Sequence, residues 1–191
     1  MKKLLVVVDM QKDFIDGALG TLEAQQIVPA VRKRICEYRE AGDEVVFTLD
    51  TQGPDYMDTM EGKKLPVAHC IKGSEGWEII PQLRPYAPHP IDKPTFGSRA
   101  LGALLLARDE DLRKQGMPGV EKVTFLGVCT DICVISNALL VKAFLPEAEI
   151  VVEADCCAGV TPESHRTALE AMKACQIEVV NGEQMVWYKK S

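Results

Sequence analysis

Short runs of β-branched and aliphatic residues alternate along the chain with longer amphipathic stretches. Continuous apolar runs are typical of strands covered on both faces, and amphipathic stretches of this length are typical of helices. The predicted strands span residues 3–9, 44–50, 122–128, 149–155 and 177–181, and the predicted helices span 27–39, 98–114, 132–144 and 162–174. The alternation predicts an α/β fold: a central, mostly parallel sheet in a three-layer α/β/α arrangement, as in Rossmann-like proteins.

The length of the chain fits one domain. A chain of 191 residues with a hydrophobic fraction of 47% can bury a sizeable core. No internal repeat or low-complexity linker divides the sequence, so residues 1–191 are expected to form a single domain. The segment 51–94 is rich in Gly, Pro and His and lacks a clean period, and a long irregular segment inside a compact domain is more often functional than idle.

Composition and charge exclude several classes of partner. A net charge of -6 and a pI near 5.2 give no reason to expect nucleic-acid binding. The first apolar run, residues 4–8, is too short for secretion, and charges or glycines interrupt every longer candidate, so no membrane span and a cytoplasmic location are expected. The seven cysteines contain no C-x-x-C pair, which favours reduced thiols.

Three polar residues lie at or near predicted strand ends, where parallel strands open into a shared crevice. Asp9 closes the first strand, Lys93 follows a short apolar segment around Ile91, and Cys133 opens the helix after the third predicted strand. A helix N-terminus and a nearby ammonium favour a thiolate, so a lowered pKa is expected for Cys133, with Asp9 as proton shuttle. Taken singly, the cysteine is equally explained as a small buried hydrophobe, the aspartate as a cap and the lysine as a solvated charge.

Together these residues belong to longer motifs. Asp9 and Phe14 lie in "VVVDMQKDF", Lys93 in "DKPTF", Cys133 in "GVCTDICV" and His69 in "LPVAHCIKGSEGWEI". In this order and spacing, over nearly the whole chain, they resemble the isochorismatase-like cysteine hydrolases, close to the nicotinamidases.

The resemblance implies the isochorismatase-like hydrolase fold and a catalytic triad of Asp9, Lys93 and Cys133. The implied reaction is hydrolysis of a small-molecule amide through a thioester, without a nucleotide cofactor. A cis peptide between Val128 and Cys129 is also implied, and the backbone N–H groups of Cys129 and Cys133 are expected to form an oxyanion hole.

Neighbouring residues receive supporting roles. Phe14 and Val128 are expected to contact the substrate, although a Phe after a strand is more often plain core. Thr130 and Asp131 are expected to cap the helix, and His165 to cap or pack.

The resemblance also implies a divalent metal site after the second strand. Asp50 and His69 match the family pattern, Gln52 stands where a histidine is expected, and Glu61 lies near a position from which relatives supply a carboxylate. Among Zn, Mn, Fe and Mg, this harder ligand set shifts the preference away from zinc. Without a metal, Asp50 would cap a turn, Glu61 would be solvated, and His69 would hydrogen-bond within the loop.

Two alternatives to a nicotinamidase-like amidase stay open at this stage. One is a C–N hydrolase on the same fold that acts on carbamoyl or ureido groups. The other is a catalytically silent binding protein, which the glutamine at position 52 suggests. The resemblance further implies a homo-oligomer.

Overall fold

A six-stranded parallel sheet forms the centre of the protein, whose structure is a computed structural model that describes residues 2–184. Its strands are β1 (Lys2–Val8), β2 (Glu44–Asp50), β3 (Ile91–Lys93), β4 (Val120–Val128), β5 (Glu149–Ala158) and β6 (Glu178–Val180). Their order in the sheet is β3-β2-β1-β4-β5-β6, and every neighbouring pair is parallel. The chain order reverses between β1 and β4, which opens a crevice at the carboxyl ends of these strands.

Helices connect the strands. The α-helices are α1 (Lys12–Ile15), α2 (Leu22–Glu40), α3 (Met60–Lys64), α4 (Arg99–Lys114), α5 (Ile135–Phe144) and α6 (Pro162–Ala174). Helix α2 packs across β1, β2, β4 and β5, while α4, α5 and α6 contact one another in succession and pack on β4 and β5. Because right-handed crossovers run in opposite directions from β1 and β4, the two sets of helices cover opposite faces. The predicted three-layer α/β/α fold is therefore confirmed.

Caps fix several helix boundaries. The Thr21 side chain accepts a hydrogen bond from the Ala24 N–H, so α2 begins five residues before the predicted start, at Leu22. Thr161 and Ser164 form a reciprocal capping box at the start of α6. This helix has the predicted bounds.

Two local predictions are wrong. The segment 51–94 is not irregular throughout, because residues 91–93 form the edge strand β3, which pairs with the end of β2 and sets Lys93 opposite Asp50. The helix expected over 132–144 divides into a π-helical turn, Thr130–Val134, and α5, because Val134 N–H bonds back to Cys129 O. Cys133 therefore lies inside that turn rather than at the start of a regular helix.

The crevice depends on a close backbone approach between β1 and β4. Gly127 has φ 115°, and a Cβ at this position would lie 2.2 Å from the Val8 carbonyl oxygen. Glycine therefore lets the end of β4 meet the end of β1. Among the described helices, none is both long enough and apolar enough to span a membrane.

Candidate active site

Asp9, Lys93 and Cys133 converge at the carboxyl ends of three strands. The Lys93 ammonium lies 2.7 Å from Asp9 Oδ2 and donates a 3.3 Å hydrogen bond to Cys133 Sγ. It also lies 3.4 Å from Asp50 Oδ1 and donates to the Thr95 carbonyl oxygen at 3.3 Å. The ammonium thus lies between two carboxylates and one sulfur.

In the Asp9–Lys93 pair, burial and the charge of the partner have opposite effects on each pKa. Both side chains are fully buried. Burial lowers the pKa of Lys93, but the Asp9 carboxylate, the Cys133 sulfur and Asp50 outweigh it and raise the net pKa. For Asp9, burial raises the pKa more than the Lys93 charge lowers it. Asp9 Oδ2 faces the Lys93 ammonium, and no other donor among the described residues bonds it.

The predicted lowering of the Cys133 pKa is contradicted by the surroundings of the sulfur. Burial raises the pKa of Cys133 well above its usual value, and the negative charge of Asp9 raises it further. The Lys93 charge opposes both effects, but it is already shared with two carboxylates. The resting sulfur is therefore a thiol, and it becomes a strong nucleophile only when a base takes its proton.

Three residues that the sequence analysis did not single out hold these groups in place. Thr48 Oγ1 donates to Asp9 Oδ1 at 2.7 Å. Gln11 bonds both the N–H and the carbonyl oxygen of Asp50. Asn137 Nδ2 donates to the Cys133 carbonyl oxygen at 2.7 Å, which fixes the turn below the sulfur. All three are completely buried.

Thr130 and Asp131 do not cap the helix. The Thr130 hydroxyl lies 2.7 Å from His165 Nδ1, and the Asp131 carboxylate accepts from the Val160 N–H. Both side chains join the π-helical turn to the segment around α6. His165 is fully buried, and burial lowers its pKa to about 4. The packing role expected for it therefore includes a hydrogen bond to the turn that carries Cys133.

The four residues predicted to hold a metal lie together beside this group. His69 Nε2 is 3.4 Å from Asp50 Oδ2 and 4.0 Å from Glu61 Oε1. His69 Nδ1 lies 2.8 Å from the Val67 carbonyl oxygen. Donation from Nδ1 to that oxygen leaves Nε2 as the nitrogen that faces the carboxylates.

Gln52 contacts the same cluster in a different way. Its Nε2 donates to Asp50 Oδ1 at 3.2 Å and lies 3.4 Å from Oδ2. In this orientation the amide nitrogen is a hydrogen-bond donor and cannot ligate a cation. In this arrangement Gln52 orients Asp50, while Asp50, Glu61 and His69 present their ligand atoms within one cluster.

The donor set suits a divalent cation. One ligand atom from each of Asp50, Glu61 and His69 lies within 4.8 Å of the others. Burial raises the pKa of Asp50, but the His69 hydrogen bond and the Lys93 charge outweigh it, so the carboxyl remains ionised. Two carboxylates and one imidazole leave further coordination positions open, as in metal sites that also bind water or substrate.

A cavity of about 540 Å³ lies over Cys133 and this cluster. Phe14 and Val128, the predicted substrate-binding residues, line it together with Cys129 and Cys133. The Phe14 ring also contacts the His69 ring, with 5.6 Å between the centroids. Asp9 and Lys93 are fully buried, so the sulfur is the member of the group of three that lines the cavity.

Fold and site together define a class of protein: a three-layer α/β protein with a buried carboxylate, ammonium and thiol beside a candidate metal cluster. A family model for the isochorismatase domain matches residues 3–184, and the chain belongs to the isochorismatase family. The expected Val128–Cys129 peptide is cis in the structure.

Relatives of known activity share most of this chain. It is 30% identical to the nicotinamidase/pyrazinamidase of Mycobacterium tuberculosis over 193 residues, which cover 93% of this chain and 98% of the relative. It is similar to the pyrazinamidase of Pyrococcus horikoshii in complex with zinc, with a TM-score of 0.75, 28% identity and coverage of 94% and 99%. For the N-carbamoylsarcosine amidase of Thermoplasma acidophilum, the TM-score is 0.71 and the identity 29%, with coverage of 94% and 95%.

Proposed function

We propose that the protein is a cysteine-dependent amidohydrolase, nicotinamidase-like, that converts a small amide into an acid and ammonia. The relatives support the coarser assignment, an amide hydrolase of the isochorismatase family. One observation supports the finer assignment, a cysteine-dependent mechanism. A single buried ammonium contacts both a carboxylate and a thiol at the floor of a cavity.

In the first step, the Cys133 sulfur attacks the amide carbon while its proton passes to Asp9. The raised pKa of Asp9 suits this transfer, because a buried carboxylate is a stronger base than a solvated one. The Lys93 ammonium remains charged and stabilises the ionised carboxylate before the transfer and the negative charge on the sulfur during it. A carbon–sulfur bond forms, and the carbonyl oxygen becomes an oxyanion.

The tetrahedral intermediate then collapses. The carbon–nitrogen bond breaks while Asp9 returns the proton to the departing nitrogen. Ammonia leaves the site, and the acyl group remains on Cys133 as a thioester. Water next attacks the thioester carbon and gives a proton to Asp9, the carbon–sulfur bond breaks, and the proton returns to Cys133. This cycle consumes one amide and one water and needs no nucleotide cofactor.

The oxyanion is assigned to the backbone N–H groups of Cys129 and Cys133. Losing one such donor typically costs about 3 kcal/mol of transition-state stabilisation. Asn137 supports this arrangement by bonding the Cys133 carbonyl oxygen. Phe14 and Val128 are proposed to pack against the flat faces of the substrate, since both line the cavity together with Cys133.

A divalent metal is proposed at Asp50, Glu61 and His69. When bound, it would supply a Lewis acid that holds a polar atom of the substrate or a water next to the reacting amide. Gln52 keeps Asp50 oriented toward the cluster, and the Val67 carbonyl oxygen keeps the His69 ring in place.

A carbamoyl-group hydrolase is the second candidate. The similarity to the N-carbamoylsarcosine amidase of Thermoplasma acidophilum favours it. The same sulfur attack on a carbamoyl carbon would also release ammonia. The buried Asp9, Lys93 and Cys133 argue against a silent binding protein, since an ion pair and a thiol buried together are costly to a fold that does not use them.

Ammonia release from a panel of amides tests the proposal. The panel holds nicotinamide, pyrazinamide and N-carbamoylsarcosine, and Cys133→Ala is the matched control. Release from the first two, lost in the variant, supports the amidase. Release from N-carbamoylsarcosine alone supports the second candidate, and no release from any member contradicts both the nicotinamidase-like and the carbamoyl-group assignment. The single domain, the cytoplasmic location and the homo-oligomer stay predictions.

A further inference from the structure

The cavity over Cys133 connects a buried sulfur to an exposed apolar rim. At the inner end, Cys133 is only 5% exposed. At the outer end, Met60, Val160 and Phe96 line the same cavity and are 70%, 50% and 43% exposed. A ligand that reaches the sulfur therefore passes three apolar side chains that the folded chain leaves in water.

Most of the other lining residues are also apolar. Leu19, Ala24, Leu65 and Ile132 line the cavity. The charged groups in the lining are Asp50 and Glu61 in the metal cluster and Lys64, which is exposed. Beyond the metal cluster, Thr21 and Lys64 are the polar side chains with N–H or O–H groups in the lining, and the rest of the wall offers mainly contacts to carbon.

The cavity is larger than a substrate with a single small ring would fill. Its volume of about 540 Å³ falls in the range of roughly 300–1,000 Å³ that holds a drug-sized ligand. A single-ring carboxamide has fewer than half the heavy atoms of such a ligand. With the reacting amide at the sulfur, such a substrate would leave the outer part of the cavity to water.

We propose that this site takes uncharged amides with an extended apolar substituent, which lies along the walls and covers the Met60, Phe96 and Val160 rim. This inference rests on the proposed amidohydrolase function and names its substrate class. Burial of each methylene against such walls contributes about threefold to fourfold to kcat/KM. The substituent is uncharged because, apart from the metal cluster and the exposed Lys64, the lining has no charged side chain to pair with it.

A chain-length series of substrates tests the inference. Linear amides from propanamide to octanamide are assayed for ammonia release, with nicotinamide and N-carbamoylsarcosine as short references. The expected result is a rise in kcat/KM of at least twofold for each added methylene over most of the series. The rise should come mainly from a lower KM.

Variants at the rim separate binding along the cavity from nonspecific hydrophobic effects. Met60→Ser and Phe96→Ser together are expected to lower the octanamide-to-propanamide ratio of kcat/KM by about tenfold. Leu22→Ser is the matched control, because Leu22 is 71% exposed but does not line the cavity. It should leave the ratio unchanged.

Each contrary outcome has a distinct meaning. If short amides are hydrolysed and kcat/KM is flat or falls with chain length, this inference is wrong and the proposed function stands. If amides that end in a carboxylate exceed neutral amides of equal length, Lys64 rather than the apolar wall selects the substrate, and the inference is again wrong. If no amide or reference releases ammonia, the proposed function fails as well.

Discussion

The Lys93 ammonium lies 2.7 Å from the Asp9 carboxylate, and both side chains are fully buried. The two residues come from separate parts of the chain. They meet because β1 and β3 lie on either side of β2, and both strands have their carboxyl ends on the same side of the sheet. A buried pair of this kind makes each partner depend on the other, because removal of one leaves an uncompensated charge.

Lys93→Met is therefore expected to lower the free energy of unfolding by about 3 kcal/mol at pH 7. Asp9→Asn should also destabilise the protein, because Lys93 then loses its nearest carboxylate. The double variant should lose less than the sum of the two single variants. Urea unfolding of all four proteins measures the coupling, and strict additivity would contradict the ion pair.

The pH dependence of Lys93→Met follows from the pKa of Asp9. Burial already raises this pKa in the wild type, and loss of the Lys93 charge raises it further. A carboxyl group that binds its proton more tightly when folded makes stability fall as pH rises above the usual value of 3.8. The free energy of unfolding of Lys93→Met should thus fall below that of wild type by a larger amount at pH 8 than at pH 5.

The Cys133 thiol should react slowly with iodoacetamide at neutral pH. Its raised pKa keeps the sulfur protonated, and the rate should climb as pH rises through and above the usual thiol range. Cys175 is exposed and serves as the internal reference. Tandem mass spectrometry follows the two sites separately. Rapid alkylation of Cys133 at pH 6 would show that the sulfur is a resting thiolate, as the sequence analysis predicted.

Gln52→His should strengthen zinc binding. Position 52 is 6% exposed and adjoins Asp50, so an imidazole there adds a second nitrogen ligand to the Asp50, Glu61 and His69 cluster. We expect at least a tenfold gain in zinc affinity relative to manganese, measured by isothermal titration calorimetry. Glu110→Gln, on an exposed face of α4, is the control. An unchanged preference would place the metal elsewhere.

Acid should destabilise the fold through His165. Burial lowers its pKa from 6.5 to about 4, so the folded protein prefers the neutral ring. Its contribution to stability is complete above about pH 6.5 and is lost as pH falls toward 4, with a total of about 3 kcal/mol. His165→Gln should show a smaller loss between pH 7 and pH 4.5 than wild type. If urea unfolding shows that wild type and His165→Gln lose the same free energy of unfolding between pH 7 and pH 4.5, this prediction is wrong.

The sequence predicted those parts of the fold that have a local signature. Strands β1, β2 and β4 are continuous apolar runs, so their positions could be recognised without a structure. Strand β3 has three residues and pairs with one neighbour in a Pro-rich segment, which gives no periodic pattern. Asp9 and Cys133 could be singled out because each follows a predicted strand, whereas Lys93 was assigned through the "DKPTF" motif that resembles the family.

The supporting residues and the charge state could not be predicted in the same way. Gln11, Thr48 and Asn137 act through hydrogen bonds across the fold, and their neighbours in the sequence carry no pattern that marks them. The pKa of Cys133 depends on how deeply the sulfur is buried and on how many carboxylates share Lys93. Neither quantity is a property of the local sequence.

The central claim is that the Cys133 sulfur carries the acyl group of the substrate during turnover. Intact-mass spectrometry of the enzyme, acid-quenched during steady-state hydrolysis of a reactive amide, tests it most directly. We expect a mass increase equal to the acyl group, located on the peptide that contains Cys133 and absent from Cys133→Ala. Full turnover by Cys133→Ala, or an adduct on Cys129 in place of Cys133, would contradict the claim.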